Sequence, residues 1–457
     1  MTRFPSYTIT LPPHKPSKTL LTLMTNRERS YPWDPATTHT TEAALRLVQE
    51  ANEAQFIARV ERSASVGIQA RRNSGAKQEK ELATVAAIVL DLLAHSLSGN
   101  PDPFVIKLDK NWLSAGPNEL VARNRTVNDR VYDLEVSGWV QRQQIRLNNR
   151  FVTCLKPGPK LLKASQHHRV GLGDIGVVGT LPEIELKGRK PKSKNEGRRL
   201  LPFEPSSATT RTLAKLTRLS DHIARARLES VAVDGAMIDT RRRRLIRSFL
   251  DGSFERGGRL GGPAFWLNLR RDIRRAALRI DGDHIAEVDI QAAMPSIAYA
   301  LEGERPVGDP YDLPTAPDIP RDAVKKALMQ LLWTHVKTGT PMSAEARELV
   351  PKHYRAGDVF KLIRERNAPI ARRLGAPSPC GAELMWYESE IIIDAALACF
   401  ESGFTALPLH DALLVACGPA NRAKELLSNA FEDLLGVEPA IKVELFHQRA
   451  AEADANV

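Results

Sequence analysis

Apolar positions along this chain come in short bursts, and the spacing inside each burst predicts an element. Glu81-Leu-Ala-Thr-Val-Ala-Ala-Ile-Val-Leu-Asp-Leu-Leu-Ala-His95 is apolar over most of a helical surface, which predicts a helix packed inside a domain. Residues 41–78 before it carry a helical period. After it, Phe104 to Leu108 reads as a strand, 110–114 as a brief helical turn and 117–138 as a pair of helices. Val140 to Arg146 and Arg150 to Leu155 alternate like a two-stranded ribbon turning at Asn148-Asn149. Ala208 to Leu250 is a long basic helical region, in which Arg241-Arg-Arg-Arg244 opens a helix with apolar Leu245, Ile246, Phe249 and Leu250. Ile285 to Ile290 is a short apolar strand carrying one acid, Asp289; an amphipathic helix follows, with Pro295 in its first turn and Gly303 just past its end. Arg321 to Trp333, introduced by Pro320, and Glu383 to Phe400 are two more helices. Phe404 to Cys417 is an apolar hairpin interrupted only by His410-Asp411 at its bend, and 440–446 is a last strand.

This mixture of elements predicts an α+β protein. With 457 residues the chain exceeds one compact core, so two or three domains are expected. Residues 1–40, rich in Pro, Thr and Ser, read as a flexible arm; 41–160 as a helical domain ending in the ribbon; 161–206 as a basic linker around Lys187 to Arg199; 207–457 as one further domain. The net charge of +11 points to a polyanionic partner, since lysine and arginine release condensed counterions from nucleic acid. The four cysteines show no C-x-x-C spacing, so neither a zinc site nor a disulfide framework is expected, and a reducing compartment is. No apolar run is long enough to span a bilayer, and no secretory h-region opens the chain; a cytoplasmic location and no membrane partner are expected.

The candidate chemistry lies in the second half. Asp289 and Asp411 each interrupt an apolar strand, and two such acids brought together supply hard oxygen ligands for a divalent ion pair. On spacing alone a turn or cap residue is the favoured reading of either acid. Between them, Arg321, Lys325 and Met329 recur at four-residue intervals along one helix face, where two cations suit the oxygens of a triphosphate. Taken singly, such a pair is also what a solvated helix face carries. Gly257-Gly-Arg-Leu-Gly-Gly-Pro-Ala-Phe-Trp266 reads as a glycine-rich turn whose amides and Arg259 would approach a phosphate, or as a plain hairpin turn. Glu388 and Glu390 read as structural or solvated residues of their helix.

Helix, turn, helix and ribbon in the order seen over 104–155 resemble a winged helix-turn-helix domain. That resemblance implies DNA binding through Arg123, Arg125, Asn128 and Arg130 on the second helix, and through Arg142, Arg146 and Arg150 on the wing. The same fold also serves as a protein-docking platform. In the second half, strand-Asp289, the Arg-x-x-x-Lys helix and the His410-Asp411 hairpin resemble motifs A, B and C of the family A DNA polymerases and the phage-type single-subunit RNA polymerases. Arg321, Lys325, Lys326, Met329, Leu331 and Trp333 follow the RNA-polymerase form of motif B, with Trp333 where that family has tyrosine, and Asp309-Pro-Tyr311 resembles the family's Asp-x-His or Asp-x-Tyr element. The resemblance implies a palm and fingers domain acting on a DNA template and nucleoside triphosphates. It implies two Mg2+ ions, or Mn2+, held by Asp289, Asp411 and the Ile290 carbonyl. Arg321, Lys325, Met329 and Arg259 would contact the nucleotide, Trp333 its sugar, and His410 would orient the primer end. Met294 stands where the DNA enzymes keep a glutamate against the ribose hydroxyl, which implies an RNA polymerase or primase-like enzyme. Two other readings remain: a DNA polymerase of a mobile element or phage, and a non-catalytic DNA-binding protein of replication initiation or regulation.

Overall fold

A computed structural model describes residues 31–32, 37–98, 104–106, 108, 126–147, 150–177, 183–191, 198–232 and 238–446. Most of the expected arm, the 110–114 turn, residues 117–125 and the centre of the expected linker lie outside them. The described chain is α+β. Its core falls into two clusters, one over residues 44–175 and one over 216–431.

In the first cluster, helices α1 (Glu42–Ala64) and α2 (Ala76–Leu97) pack together, and Val85 to Ala94 of α2 are buried all round, as a run apolar at every position but Asp91 requires. Short strands β1 (Tyr31–Pro32) and β3 (Phe104–Ile106) join β4 (Val140–Leu147) and β5 (Arg150–Pro157) in the order β1-β3-β5-β4, while β2 (Thr37–His39) pairs with β6 (Ile175–Val177). Helix α3 (Val127–Val136) precedes the ribbon, and α4 (Pro159–His168) packs back on α1 and α2.

The second half opens earlier than expected. Strands β7 (Glu183–Lys187) and β8 (Leu200–Leu201), within the stretch expected to be a linker, join β10 (Ile246–Leu250) and β11 (Ser253–Gly261) in a sheet ordered β11-β10-β7-β8. The expected helix at 241–250 is therefore a strand. Its Leu245, Ile246, Phe249 and Leu250 mimic a helical stripe, but burial alternates along β10, and Asp251-Gly252, with φ of 59° and 75°, closes a two-residue hairpin. The first half of the glycine-rich stretch expected as a turn, Gly257 to Gly261, is the end of strand β11. Gly257 and Gly258, with φ of 82° and 80°, form a bulge in it.

The sheet carrying the two acids runs β14 (Ala406–Leu409), β15 (Ala412–Ala416), β13 (Asp283–Ile290), β12 (Leu278–Ile280), β9 (Leu228–Ser230), with β16 (Ile441–Leu445) also paired to β13. Around it lie α5 (Ser207–Arg225), α6 (Arg271–Ala277), α7 (Ala293–Ala300), α8 (Arg321–Trp333), α9 (Ala356–Arg366), α10 (Gly381–Glu401) and α11 (Ala420–Leu435). Helix α10 is the hub, touching β11, β14, α5, α7, α8 and α11.

One arginine ties β10 to that hub. Arg247 is wholly buried; it donates to the Gly258 carbonyl at 2.9 Å and to Ser389 Oγ at 2.7 Å, and meets the Glu390 carboxylate at 2.9 Å. Lys215 completes the cluster on Glu390 at 3.1 Å and Asp394 at 2.7 Å. A side chain at Gly258 would collide with Ser389 and Arg247, so the bulge glycine is what lets the guanidinium in. Removing Arg247 leaves Glu390 without its most deeply buried partner. Arg247→Ala is expected to cost about 3–5 kcal/mol in urea unfolding; a cost under about 1 kcal/mol would refute this role.

Candidate active site

Asp289 and Ile290 are the last residues of β13, and the hairpin β14–β15 brings Asp411 beside them. Asp289 registers with Ala412 on one side and Lys442 on the other, and the Ile290 N–H donates to the Asp411 carbonyl at 3.2 Å. Left-handed backbone at non-glycine residues flanks both acids, with Ala292 at φ 48° shortly after Asp289 and His410 at φ 58° just before Asp411. Such conformations persist only where the surrounding structure over-determines them. Here they turn the chain at once into α7 on one side and β15 on the other. Ser296 holds the first bend by donating to the Gln291 carbonyl at 2.8 Å.

The two acids line a cleft of about 980 Å3. Helix α8 forms one wall through Arg321, Lys325 and Met329, and β11 and α10 supply Arg259 and Glu388. Tyr311 stands between the cations, its ring 5.0 Å from the Arg321 guanidinium and 5.8 Å from Lys325 Nζ. Arg321 is held by Asp309 at 2.5 Å, and the same carboxylate accepts the Tyr311 N–H, so the Asp-Pro-Tyr loop orients the cationic end of α8.

Burial raises the Asp289 carboxyl to about 7, with Asp411 and Glu287 adding to the shift and Arg271 and Lys325 opposing it. Glu388 is likewise raised to about 7 by burial, against the pull of Arg259 and with the push of Asp411. Several acids in one half-buried cleft, with too little positive charge to balance them, make a donor set that fits a divalent cation. Among the described residues no group of three or more His, Cys, Asp or Glu side chains could hold a metal ion by itself. A cation here would rest on Asp289, Asp411, the Ile290 backbone oxygen and oxygens brought by a ligand.

Several expected site residues stand elsewhere. Trp333 is absent from the cleft and lies flat against Gly381 at the start of α10. Eight residues past Lys325, it has drifted about 80° round the helix, whereas Met329 stays within about 40°. His410 is exposed at the hairpin tip and does not line the cleft. Arg130 is buried and does not reach out to DNA: with Val127, Val131 and Leu134 it lies on the inner face of α3, donating to Gln55 at 3.0 Å and pairing with Glu81 and Asp133. Asn128 is exposed, and Arg142 pairs with Glu135 at 2.9 Å. Arg123, Arg125 and the side chains of Arg146 and Arg150 lie outside what is described. Arg241 to Arg244 serve internal contacts. Arg241 binds Asp239 and the Leu172 and Ile175 carbonyls, Arg242 faces Asp91 at 3.9 Å with both side chains buried, and Arg243 caps the end of α5.

Glu388 is the site residue that the sequence reading set aside. Its signal was an acid at the spacing of Leu384, Ile391, Ile392 and Ala395, inside an apolar stripe where a solvated glutamate has no place.

No family model matches the chain, and no curated protein matches it. Among solved structures it is similar to the POL domain of Pol1 from M. smegmatis in complex with DNA primer-template and dNTP, at 13% identity and a TM-score of 0.31. The match covers 90% of this chain and 66% of that one, just under two thirds of its length. At that score the likeness carries no weight for function. Among the described residues, no helix is long and apolar enough to cross a membrane.

The raised Asp289 has a measurable consequence. Its carboxyl ionises near 3.8 when unfolded and near 7 when folded, so the folded chain holds the extra proton between those values and loses stability as pH rises through them. In EDTA, Asp289→Asn is expected to raise the unfolding temperature at pH 8, with the gain fading as pH falls toward about 4. An unchanged or lower unfolding temperature at pH 8 would contradict the burial and repulsion that set the shift.

Proposed function

We propose that this chain is a template-directed nucleotidyltransferase of the RNA polymerase or primase-like kind, acting on a DNA template. The observation that carries the proposal is one cleft in which two carboxylates at adjacent strand ends face a helix wall bearing Arg321 and Lys325. In this reading Arg321 and Lys325 bind the triphosphate oxygens, with Tyr311 spacing the two cations and Asp309 aiming the guanidinium. Asp289, Asp411 and the Ile290 carbonyl would hold two Mg2+ ions, which when bound activate the attacking hydroxyl and offset charge on the leaving phosphates. Met294, buried at the cleft edge, leaves no carboxylate there to repel a ribose hydroxyl, and this supports ribonucleotide use. The α3 helix and the β4–β5 ribbon would form the DNA-binding face of the N-terminal unit, with Asn128 and Arg142 as its described contacts.

Purified protein with a primed single-stranded DNA template, Mg2+ and labelled nucleotides is expected to give elongated product. Asp289→Ala or Asp411→Ala should reduce synthesis on the order of 10³-fold or more while the far-ultraviolet spectrum stays unchanged. Full activity in either variant would sink the proposal. Lys325→Ala is expected to raise the KM for nucleotide about tenfold or more, with a smaller effect on template affinity. Equal loss of template binding would assign that wall to nucleic acid instead.

A further inference from the structure

The Asp-Pro-Tyr loop that braces Arg321 is itself held from behind. Arg366, the last residue of α9, donates from Nη2 to the Val307 carbonyl at 2.5 Å and the Asp309 carbonyl at 3.1 Å, and from Nε to the Asp312 carbonyl at 3.1 Å. Its neighbour Asn367 donates from Nδ2 to the Pro310 carbonyl at 3.2 Å and to the Ile363 carbonyl at 2.9 Å. Two consecutive side chains thus take the carbonyls of Val307, Asp309, Pro310 and Asp312, which anchors the loop backbone at one point. Asn367 is fully buried, and its amide oxygen accepts from the Tyr299 hydroxyl at 3.1 Å, so both ends of the amide are engaged. Neither Arg366 nor Asn367 lines the cleft.

What the anchored loop presents to the cleft is a mount for Arg321. The Asp309 carboxylate accepts from Arg321 Nε at 2.5 Å and from the Tyr311 N–H at 2.9 Å, and the Tyr311 ring lies 5.0 Å from the same guanidinium. The Arg321 and Asp309 side chains are 55% and 36% exposed, and an ion pair so open has little power of its own to fix a long side chain. Its geometry depends on the backbone beneath Asp309 staying in place. Direct contacts therefore run without a break from Arg366 and Asn367, through the loop carbonyls, to Asp309 and Tyr311, and on to Arg321 at the cleft wall. Helix α9 also packs on α8, so the clamp and the guanidinium share one support.

We infer that Arg366 and Asn367 are positioning residues for the incoming nucleotide: they fix the loop from Val307 to Asp312 and, through Asp309, set the aim of Arg321 on the triphosphate. This rests on the nucleotidyltransferase reading of the same cleft. Neither residue touches the nucleotide, and no covalent step involves them. Their effect falls on nucleotide affinity, because a guanidinium that is already aimed gives up less rotamer freedom on binding.

The test uses the full chain. Single-nucleotide extension of a primed DNA template gives kcat and KM for the matched ribonucleotide. Equilibrium dialysis with radiolabelled ATP and Mg2+ gives triphosphate affinity, and fluorescence anisotropy gives affinity for the template-primer. Arg366→Ala is expected to raise both the KM and the triphosphate Kd about five- to tenfold, with kcat and template affinity within about twofold of the parent. Arg366→Lys keeps the charge without the fork and should resemble Arg366→Ala. Tyr299→Phe removes only the hydroxyl that holds the buried amide, is gentler on folding, and should raise KM about two- to threefold. In an Arg321→Ala background, Arg366→Ala should change the triphosphate Kd less than about twofold, since its route runs through Arg321. An unchanged KM in both Arg366→Ala and Tyr299→Phe overturns the inference. So does full recovery in Arg366→Lys, which would leave only a charge effect, or an Arg366→Ala effect that persists undiminished without Arg321. Equal loss of kcat, nucleotide affinity and template affinity would mean general loosening and overturns it too. A parent protein that binds triphosphate, shows the expected losses and yet extends no primer would overturn the nucleotidyltransferase reading and leave the clamp standing.

Discussion

Like charges forced together at two strand ends are the constraint on which the rest of this fold depends. Asp289 and Asp411 cannot separate, because the strands that carry them are neighbours and the Ile290 N–H is bonded to the Asp411 carbonyl. Cations stand on the walls around the two acids, and those cations are themselves braced. Asp309 and Tyr311 brace Arg321, and Glu388 braces Arg259. A charged ligand entering the cleft meets groups whose orientation has already been fixed, which reduces the reorganisation that binding would otherwise demand.

Much of the positive charge faces inward. Arg130, Arg242 and Arg247 are buried with acids, and Arg243 spends its donors on backbone carbonyls. Arginine suits this role because its guanidinium is weakly hydrated and presents five donors in a rigid fork. The net charge of +11 therefore overstates the positive surface open to a polyanion, although it remains the right sign for one.

The sequence was most readable where one element had one job. The strand ending at Asp289, the His410-Asp411 hairpin, the helix from Arg321 to Trp333 and the ribbon after residue 140 stand where periodicity placed them, because each has a single buried face and a clear stop signal. Reading failed where side chains depart from their usual habit. Residues 245–250 imitate a helical stripe because Arg247, a charged residue, occupies an inward position of a strand. Trp333 was assigned by its place in a motif, but rotation along the helix carries it out of the cleft. Sequence alone does not tell that Arg130 turns inward or that Glu388 reaches the cleft, since burial of either needs a partner more than 45 residues away, which no local pattern records. The Asp251-Gly252 turn was visible as a dipeptide and would have settled the first of these.

The buried pair of Arg242 and Asp91, with Arg241 reaching the carbonyls of Leu172 and Ile175, joins the helical N-terminal unit to the half that holds the cleft. A join made of sealed charges differs from one made of grease: an apolar seam tolerates a new neighbour of similar size, but an arginine stripped of its acid does not. Each unit is accordingly a poor candidate for transplantation, and an exchange of the N-terminal unit for another would have to carry residues 239–244 with it. The first unit is thereby wedded, through one sealed ion pair and the carbonyl bonds of Arg241, to the particular cleft behind it.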